Sequence, residues 1–298
     1  MSTATLPLRH ALLALAVVAV WGINFVVARH GLDQFPPFLF AALRFTFALL
    51  PAAFFLRRPH VRWGNMVAYG LLIGTGQFGL LYFAMRGLIS PGLASLVMQV
   101  QVFFTIGLAM LLTGERVRPY QFAALLLGAA GIAVIAANTG GETTVLGLAI
   151  TLLAALSWAC GNIAVMRSGA NDILGYVVWA SLFSAPPLYV LSFVLEGWPA
   201  MRDSLATAGA AAWGTVAYQS FGNTLFGYAA WGWLLRRYPS ATVSPMALLI
   251  PVVGMGSAAL LLGESLPAWK LGAAGLVIGG LVVSLLWPRW RARQARHA

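Results

Sequence analysis

Ten apolar runs, each near the length needed to cross a bilayer, partition this chain at approximately 8–28, 37–56, 64–85, 91–112, 120–137, 146–166, 173–195, 208–234, 240–262 and 268–287. A helix rising 1.5 Å per residue needs about 20 residues to cross roughly 30 Å of hydrocarbon. Charged residues make up only 8% of the 298 and apolar residues 60%. Soluble domains are about 25% charged, so a water-soluble bundle built from this chain would lack its polar shell. Membrane β-strands would alternate apolar and polar positions with period two, and these runs do not. The fold class that follows is an all-α integral membrane protein with ten transmembrane helices.

Two runs are the most polar: 64–85 holds Gln77, and 208–234 holds Tyr218, Gln219, Ser220 and Asn223. An unpaired polar group facing lipid is costly, so these spans are expected to face the bundle interior or a watered cavity. Arg9 ahead of the first run resembles the start of a signal peptide. Trp21, Asn24 and Arg29 follow it without a small-x-small cleavage site, however, so it reads as the first span. Cys160 is the single cysteine, and neither an intrachain disulfide nor a thiolate metal cluster is expected.

Basic residues concentrate in the cytoplasmic loops of membrane proteins. With the N-terminus inside, that side receives Arg9, Arg57, Arg58, Arg62, Arg116, Arg118, Arg167, Arg236, Arg237, Arg289, Arg291, Arg293 and Arg296. The other side receives only Arg29, Arg86, Arg202 and Lys270. Both termini are therefore expected in the cytoplasm. The net charge of +11 is mostly this bias, and the basic tail WPRWRARQARHA reads as attraction to anionic headgroups rather than a nucleic-acid footprint. Trp287 and Trp290 fit the aromatic belt beside it.

The chain also repeats itself. LAMLLTGERVRPYQFAALLLGAAGIAV around Gly114 and Glu115 is answered by SAALLLGESLPAWKLGAAGLVIGGLVV around Gly263 and Glu264. Asn24, Arg29 and Gly31 recur at the spacing of Asn162, Arg167 and Gly169. Two five-helix units result, 1–140 and 141–298. Five is odd, so the second unit enters the membrane in the opposite sense, and two such inverted repeats can exchange roles around a site near the midplane. Alternating access is the function this symmetry permits; a non-transporting structural membrane protein is the other reading.

Sparse polar groups in apolar spans point to a cavity. Asn24, Arg44, Gln77, Gln99 and Gln101 supply them in the first half, and Asn162, Tyr218 and Asn223, with Gln219 beside them, in the second; Trp158 joins the set one helical turn from Asn162. Amides offer both donors and acceptors, which suits a small polar or zwitterionic solute better than an inorganic ion. Any one of them could instead bond a neighbouring helix. Arg44, the one charge placed within a span, sits roughly 10 Å deep. Its partner there is a solute carboxylate, a backbone carbonyl, or the outer surface reached by snorkelling.

Pro245 and Pro251 interrupt the ladder of the ninth span and, with Gly254 and Gly256, mark a gate bend or a static kink. Gly128, Gly131, Gly272, Gly275, Gly279 and Gly280 read as helix contacts. Trp179, Phe221, Phe226, Tyr228, Trp231 and Trp233 crowd the second half as gate, wall or interface residues.

All seven acids, Asp33, Glu115, Glu142, Asp172, Glu196, Asp203 and Glu264, fall in loops or at helix ends, so no midplane carboxylate relay is expected. A GxxxxGK[ST] loop is missing, which speaks against ATP hydrolysis. His10, His30, His60 and His297 are scattered near interfaces and in the tail, which speaks against a membrane-embedded enzyme. No cofactor or metal is expected. The driving force is then the solute gradient or a proton coupling, for which Glu115 and Glu264 are candidates beside a capping role.

The stretches VWGINFVV near position 20, LRFTFALLPA, GLASLVMQVQVFFTI, SWACGNI and RYPSATVSPMALLIPVVGMGSAALLLGE resemble the EamA family of the drug/metabolite transporter superfamily, and within it the bacterial exporters of O-acetylserine and cysteine. That resemblance implies ten helices in two inverted five-helix repeats, export of small amino-acid metabolites across the bacterial inner membrane, and a central cavity including Asn24, Gln77, Gln99, Asn162 and Tyr218. Other amino acids or drug-like solutes are the alternative cargo, because relatives share the scaffold while differing in substrate. The partners expected are the solute and membrane lipids, with no nucleic acid.

Overall fold

The computed structural model describes residues 6–113 and 118–294; Glu115 and its corner, and Arg296 and His297, lie outside the described residues. Helix α1 spans Leu8–Leu32 and α2 Pro37–Ala53. Helix α3 begins as Trp63–Gly70, passes through a π-helical middle at Leu71–Gly79 and ends as Leu80–Met85. Helix α4 joins Pro91–Val97 to Gln101–Thr113 through a 3-10 turn at Met98–Val100. Then come α5, Pro119–Ala137, and α6, Val145–Ser168. Helix α7 is Ile173–Leu191 prolonged by a π turn at Ser192–Glu196, and the short α8 is Trp198–Thr207. Helix α9 runs through Ala210–Ala217, a π-helical Tyr218–Phe226 and Gly227–Arg237. Helix α10 comprises Ser240–Val243, a 3-10 stretch Ser244–Leu249 and Ile250–Leu262, and α11 is Ala268–Gln294.

The chain is an all-α, multi-span membrane protein. Among the described residues eight helices are long and apolar enough to cross a membrane, and Pro37–Ala53 is a shorter apolar helix. Helix α9, outside both groups, carries the polar cluster of Tyr218, Gln219, Ser220, Asn223 and Thr224. Local signals set the ends. Proline opens α2, α4 and α5, where a missing N–H costs nothing. The Thr144 and Asp172 side chains accept the N–H groups of Gly147 and Gly175 at the starts of α6 and α7. Gly169 and Gly263 close α6 and α10 in the left-handed conformation, at φ 66° and 71°.

Three features depart from the sequence reading. Helix α8 has ten residues and carries Arg202, Asp203, Ser204 and Thr207, so a search for long apolar runs passes over it. Pro251 lies in the first turn of Ile250–Leu262, where it has no ladder bond to lose; the irregular backbone is the 3-10 stretch that holds Pro245. Of the six glycines read as helix contacts, Gly128, Gly131 and Gly280 touch neighbours, whereas Gly272, Gly275 and Gly279 face open space.

The two halves carry their irregular turns at corresponding places. In α3 and α9, eight α-helical residues precede nine π-helical ones. In α4 and α10 a 3-10 segment ends just before Gln101 and Ile250, a pair as far apart in sequence as Glu115 and Glu264. Packing follows the same correspondence. Exchanging α1–α5 for α6, α7, α9, α10 and α11 maps the α1–α10 contact onto α6–α4, α1–α9 onto α6–α3, and α2–α9 onto α7–α3, while α2–α7 and α5–α11 map onto themselves.

Cross-chain bonds sort the connections into two ends. At one end, Glu196 accepts the N–H groups of Phe38 and Leu39 at 2.8 and 3.2 Å, Glu264 accepts that of Gly92 at 3.0 Å, and Lys270 meets Glu142 at 2.8 Å. At the other, Asn65 Nδ2 donates to the Ala164 carbonyl at 2.9 Å, and Trp179 Nε1 donates to the Leu56 carbonyl at 3.0 Å. His10 meets the Tyr238 hydroxyl. Helix after helix therefore runs from one end to the other and back.

Candidate functional site

Arg44 sits near the middle of the 17-residue α2 and is only 2% exposed. Its Nη1 donates to the Tyr82 hydroxyl at 3.0 Å and to Gln219 Oε1 at 2.9 Å, and its guanidinium lies 3.6 Å from the centre of the Phe78 ring. Nε has no acceptor, and the ion pairs of the described residues, Arg29–Asp33, Arg202–Asp203 and Lys270–Glu142, all lie elsewhere. Snorkelling and a backbone carbonyl are thus both replaced by an inward pose on neutral side chains. An arginine at the centre of a span costs about 2.5–3.5 kcal/mol on insertion scales. A desolvated cation–π contact returns about 2 kcal/mol of that.

The π-helical segments of α3 and α9 bring these partners in. Phe78 and Tyr82 are four residues apart where the π middle of α3 meets its α-helical end, with ring centres 5.7 Å apart. Gln219 and Asn223 are four apart on α9. Asn223 Nδ2 donates to Asn24 Oδ1 at 2.8 Å and to Gln219 Oε1 at 3.2 Å, and Ser220 Oγ donates to the Arg44 carbonyl at 2.9 Å. The Tyr218 hydroxyl donates to the Val20 carbonyl at 2.8 Å, one turn before Asn24. Nine-residue π segments displace side chains from the 3.6-residue register, and such segments recur at functional sites.

Of the residues expected in a cavity, Asn24, Arg44 and Asn223 are brought together, with Tyr218 at their edge and Gln77 next to Phe78. Gln101 and Asn162 form a second cluster: Asn162 Nδ2 donates to Gln101 Oε1 at 2.8 Å and to Thr105 Oγ1 at 3.2 Å, with half-buried Trp158 one turn away. Gln77 and Gln99 are buried, at 5% and 6% exposure, and neither side chain is hydrogen-bonded to another described residue, so both amides keep unused donors and acceptors. Tyr82, Phe78 and Thr105 escaped the sequence reading. The Phe78/Tyr82 spacing of four, in the span already marked by Gln77, was the available signal. Trp179 Nε1 bonds the Leu56 carbonyl in a loop, and Phe221, Phe226 and Trp233 are exposed.

Two recesses lie apart from this polar seam. An apolar one of about 500 Å³ is lined by α4, α5 and α6 through residues such as Phe103, Leu108 and Leu156. A polar one of about 430 Å³ lies at the α3–α6 junction, around Arg62 and Arg167.

Residues 8–137 and again 145–286 match the EamA-like transporter family. This chain belongs to that family. EamA-like proteins are transporters, so the chain is a membrane transport protein and not an enzyme. It is similar to the "Probable amino-acid metabolite efflux pump" of Escherichia coli (strain K12), with 41% identity over 285 residues, 94% of this chain and 95% of that protein. The protein so described in Salmonella typhimurium is 41% identical over 290 residues, 95% of this chain and 97% of its own. A solved crystal structure 22% identical in sequence, covering 94% of this chain and 98% of its own at a TM-score of 0.61, has the same fold.

Proposed function

We propose that this EamA-like transporter is a secondary exporter of small amino-acid metabolites in the bacterial inner membrane, with Arg44 receiving the solute carboxylate. The observation that carries this reading is the buried guanidinium itself: 2% exposed, with Nε unpaired and no acid in contact. A charge so placed favours an anionic partner, and a solute supplies one that a permanent acid in the wall does not. Asn24 and Asn223, joined to it through Gln219, with Tyr218 at their edge and Gln77 next to Phe78, offer amides and a hydroxyl for the rest of a zwitterion; Gln99, Gln101, Trp158 and Asn162 are proposed to extend the route. The export direction and cargo class agree with the efflux-pump description of the 41% identical relatives.

The mechanism proposed is alternating access between two inverted five-helix units, 1–140 and 141–298, crossing the membrane ten times with both termini cytoplasmic. The paired irregular turns, the exchangeable packing pattern and the arginine bias of the loops support it. The 3-10 stretch around Pro245, with Pro251 after it, is the bending element. O-acetylserine and cysteine are the narrower cargo proposal. Counterflow in proteoliposomes tests both levels: amino acids with a free carboxylate compete for labelled solute and their carboxamide analogues do not. Equal competition by carboxamides removes Arg44 from the site, and no flux of O-acetylserine or cysteine beyond empty liposomes removes those two as cargo.

A further inference from the structure

We propose that the polar recess at the α3–α6 junction binds the phosphate of an anionic phospholipid headgroup, which there braces the two halves of the molecule together. Val61, Arg62, Gly64, Asn65, Arg167 and Ser168 line this space of about 430 Å³. Arg62 leads into α3 in the first half and Arg167 lies in the last turn of α6 in the second, so exposed arginines from the two halves line one recess. Neither takes part in an ion pair among the described residues. Asp172, the acid that follows α6, is engaged in capping α7, where it accepts the Gly175 N–H at 3.1 Å.

The start of α3 adds donors beside the recess. The N–H groups of Trp63 and of Gly64, the latter lining the recess, have no acceptor in the described chain, whereas those of Asn65 and Met66 turn back to the Arg62 carbonyl. Two arginines beside a helix N-terminus offer the positive charge and the N–H donors that a phosphate takes. The opposing influence is the carbonyl end of α6. Asn65 Nδ2 already occupies the Ala164 carbonyl there, and Asn65 Oδ1 in turn accepts the Tyr176 hydroxyl at 2.6 Å. Arg58 strengthens the basic rim: it stacks 3.7 Å from the Trp63 ring centre and donates to the Val61 carbonyl at 3.2 Å.

A lipid fits better than a free anion because the recess borders apolar surface. Trp63 is 45% exposed and Met166 67% exposed, flanking the arginines at the depth where tryptophan marks the headgroup boundary. The side is also the arginine-rich one, facing the leaflet that carries anionic lipid. Occupancy would tie Arg62 to Arg167 across the Asn65–Ala164 seam, and so hold that face closed.

The test reads stability of the full chain in neutral detergent, with no transport measured, so its outcome is separate from that of the solute proposal. Short-chain phosphatidylglycerol, at about ten times its half-effect concentration, is expected to raise the unfolding midpoint by about 3 °C or more. Phosphatidylcholine is expected to do so far less, and R62Q/R167Q to abolish the difference. The R236Q/R237Q pair, on the same side but away from the recess, is expected to retain it. Should the double variant not purify, R62Q and R167Q singly are each expected to lose about half of the shift. Equal shifts from the two lipids, or an undiminished shift in the recess variants, overturn the site. An equal shift from inorganic phosphate alone overturns the lipid assignment.

Discussion

A single side chain, Arg44, ties the seam together. Its three neutral neighbours, Tyr82, Gln219 and the Phe78 ring, fix the guanidinium without neutralising it, and in the proposed function the charge is matched by the solute carboxylate. Replacing it in R44Q removes charge-assisted bonds worth about 1.5–3 kcal/mol. The half-saturation concentration for a carboxylate solute is then expected to rise roughly 10- to 100-fold in counterflow. R44K keeps the charge but loses the fork, and is expected to fall between. Sequence alone made Arg44 conspicuous, because a charge inside an apolar run is rare, and it also flagged Asn24, Asn162 and Asn223. It could not pair them. Asn24 and Asn223 meet across 199 positions, and that meeting depends on the π register of Tyr218–Phe226, which no spacing rule based on 3.6 residues reproduces.

At the level of helices, two carboxylates from the second half cap helix starts in the first. Glu264 holds the Gly92 N–H, and Glu196 holds those of Phe38 and Leu39 while accepting the Ser192 hydroxyl at 2.6 Å. Of the two roles open to Glu264 on sequence, capping is the one observed. E264A is expected to cost about 1 kcal/mol, a fall of about 2–4 °C in unfolding midpoint; an unmoved midpoint would show the cap to be idle. Helix contacts give a second contrast. A side chain at Gly131 would run into Val277 and the Ala273 carbonyl, whereas Gly275 faces open space. G131V is expected to destabilise by about 1–3 kcal/mol through overpacking, and G275A to be near neutral; chemical or thermal unfolding of the two variants side by side decides. The long helices were legible from apolar length, since every run falls on one of them, although α11 extends to Gln294 past its run and the short α8 falls in none. Which glycines meet a neighbour was not, because that depends on how α5 and α11 are rotated about their axes.

Across the whole molecule, the connections divide between two ends, and the basic residues divide with them. Cysteines introduced singly at positions 60 and 265, in a C160A background, are expected to react with an impermeant maleimide from opposite faces of the cell membrane, position 60 from the cytoplasm. Labelling of both from one face would end the inverted arrangement. The duplication was legible in the repeated Gly-Glu corners, and the structure adds something the letters do not show: the distortions are duplicated too, π in α3 and α9, 3-10 in α4 and α10.

The α5–α11 pair, where Gly131 abuts Val277 and Gly280 abuts the Ala124 carbonyl, is its own partner under exchange of the halves. Exchange of the halves leaves this interface, like α2–α7, in register with itself, so under the proposed alternating access it can serve as a keel about which the swapped rods tilt. If the proposed alternating access holds, a covalent weld along the keel is expected to leave transport intact, while one between residues 65 and 164 is expected to hold that face shut and stop it.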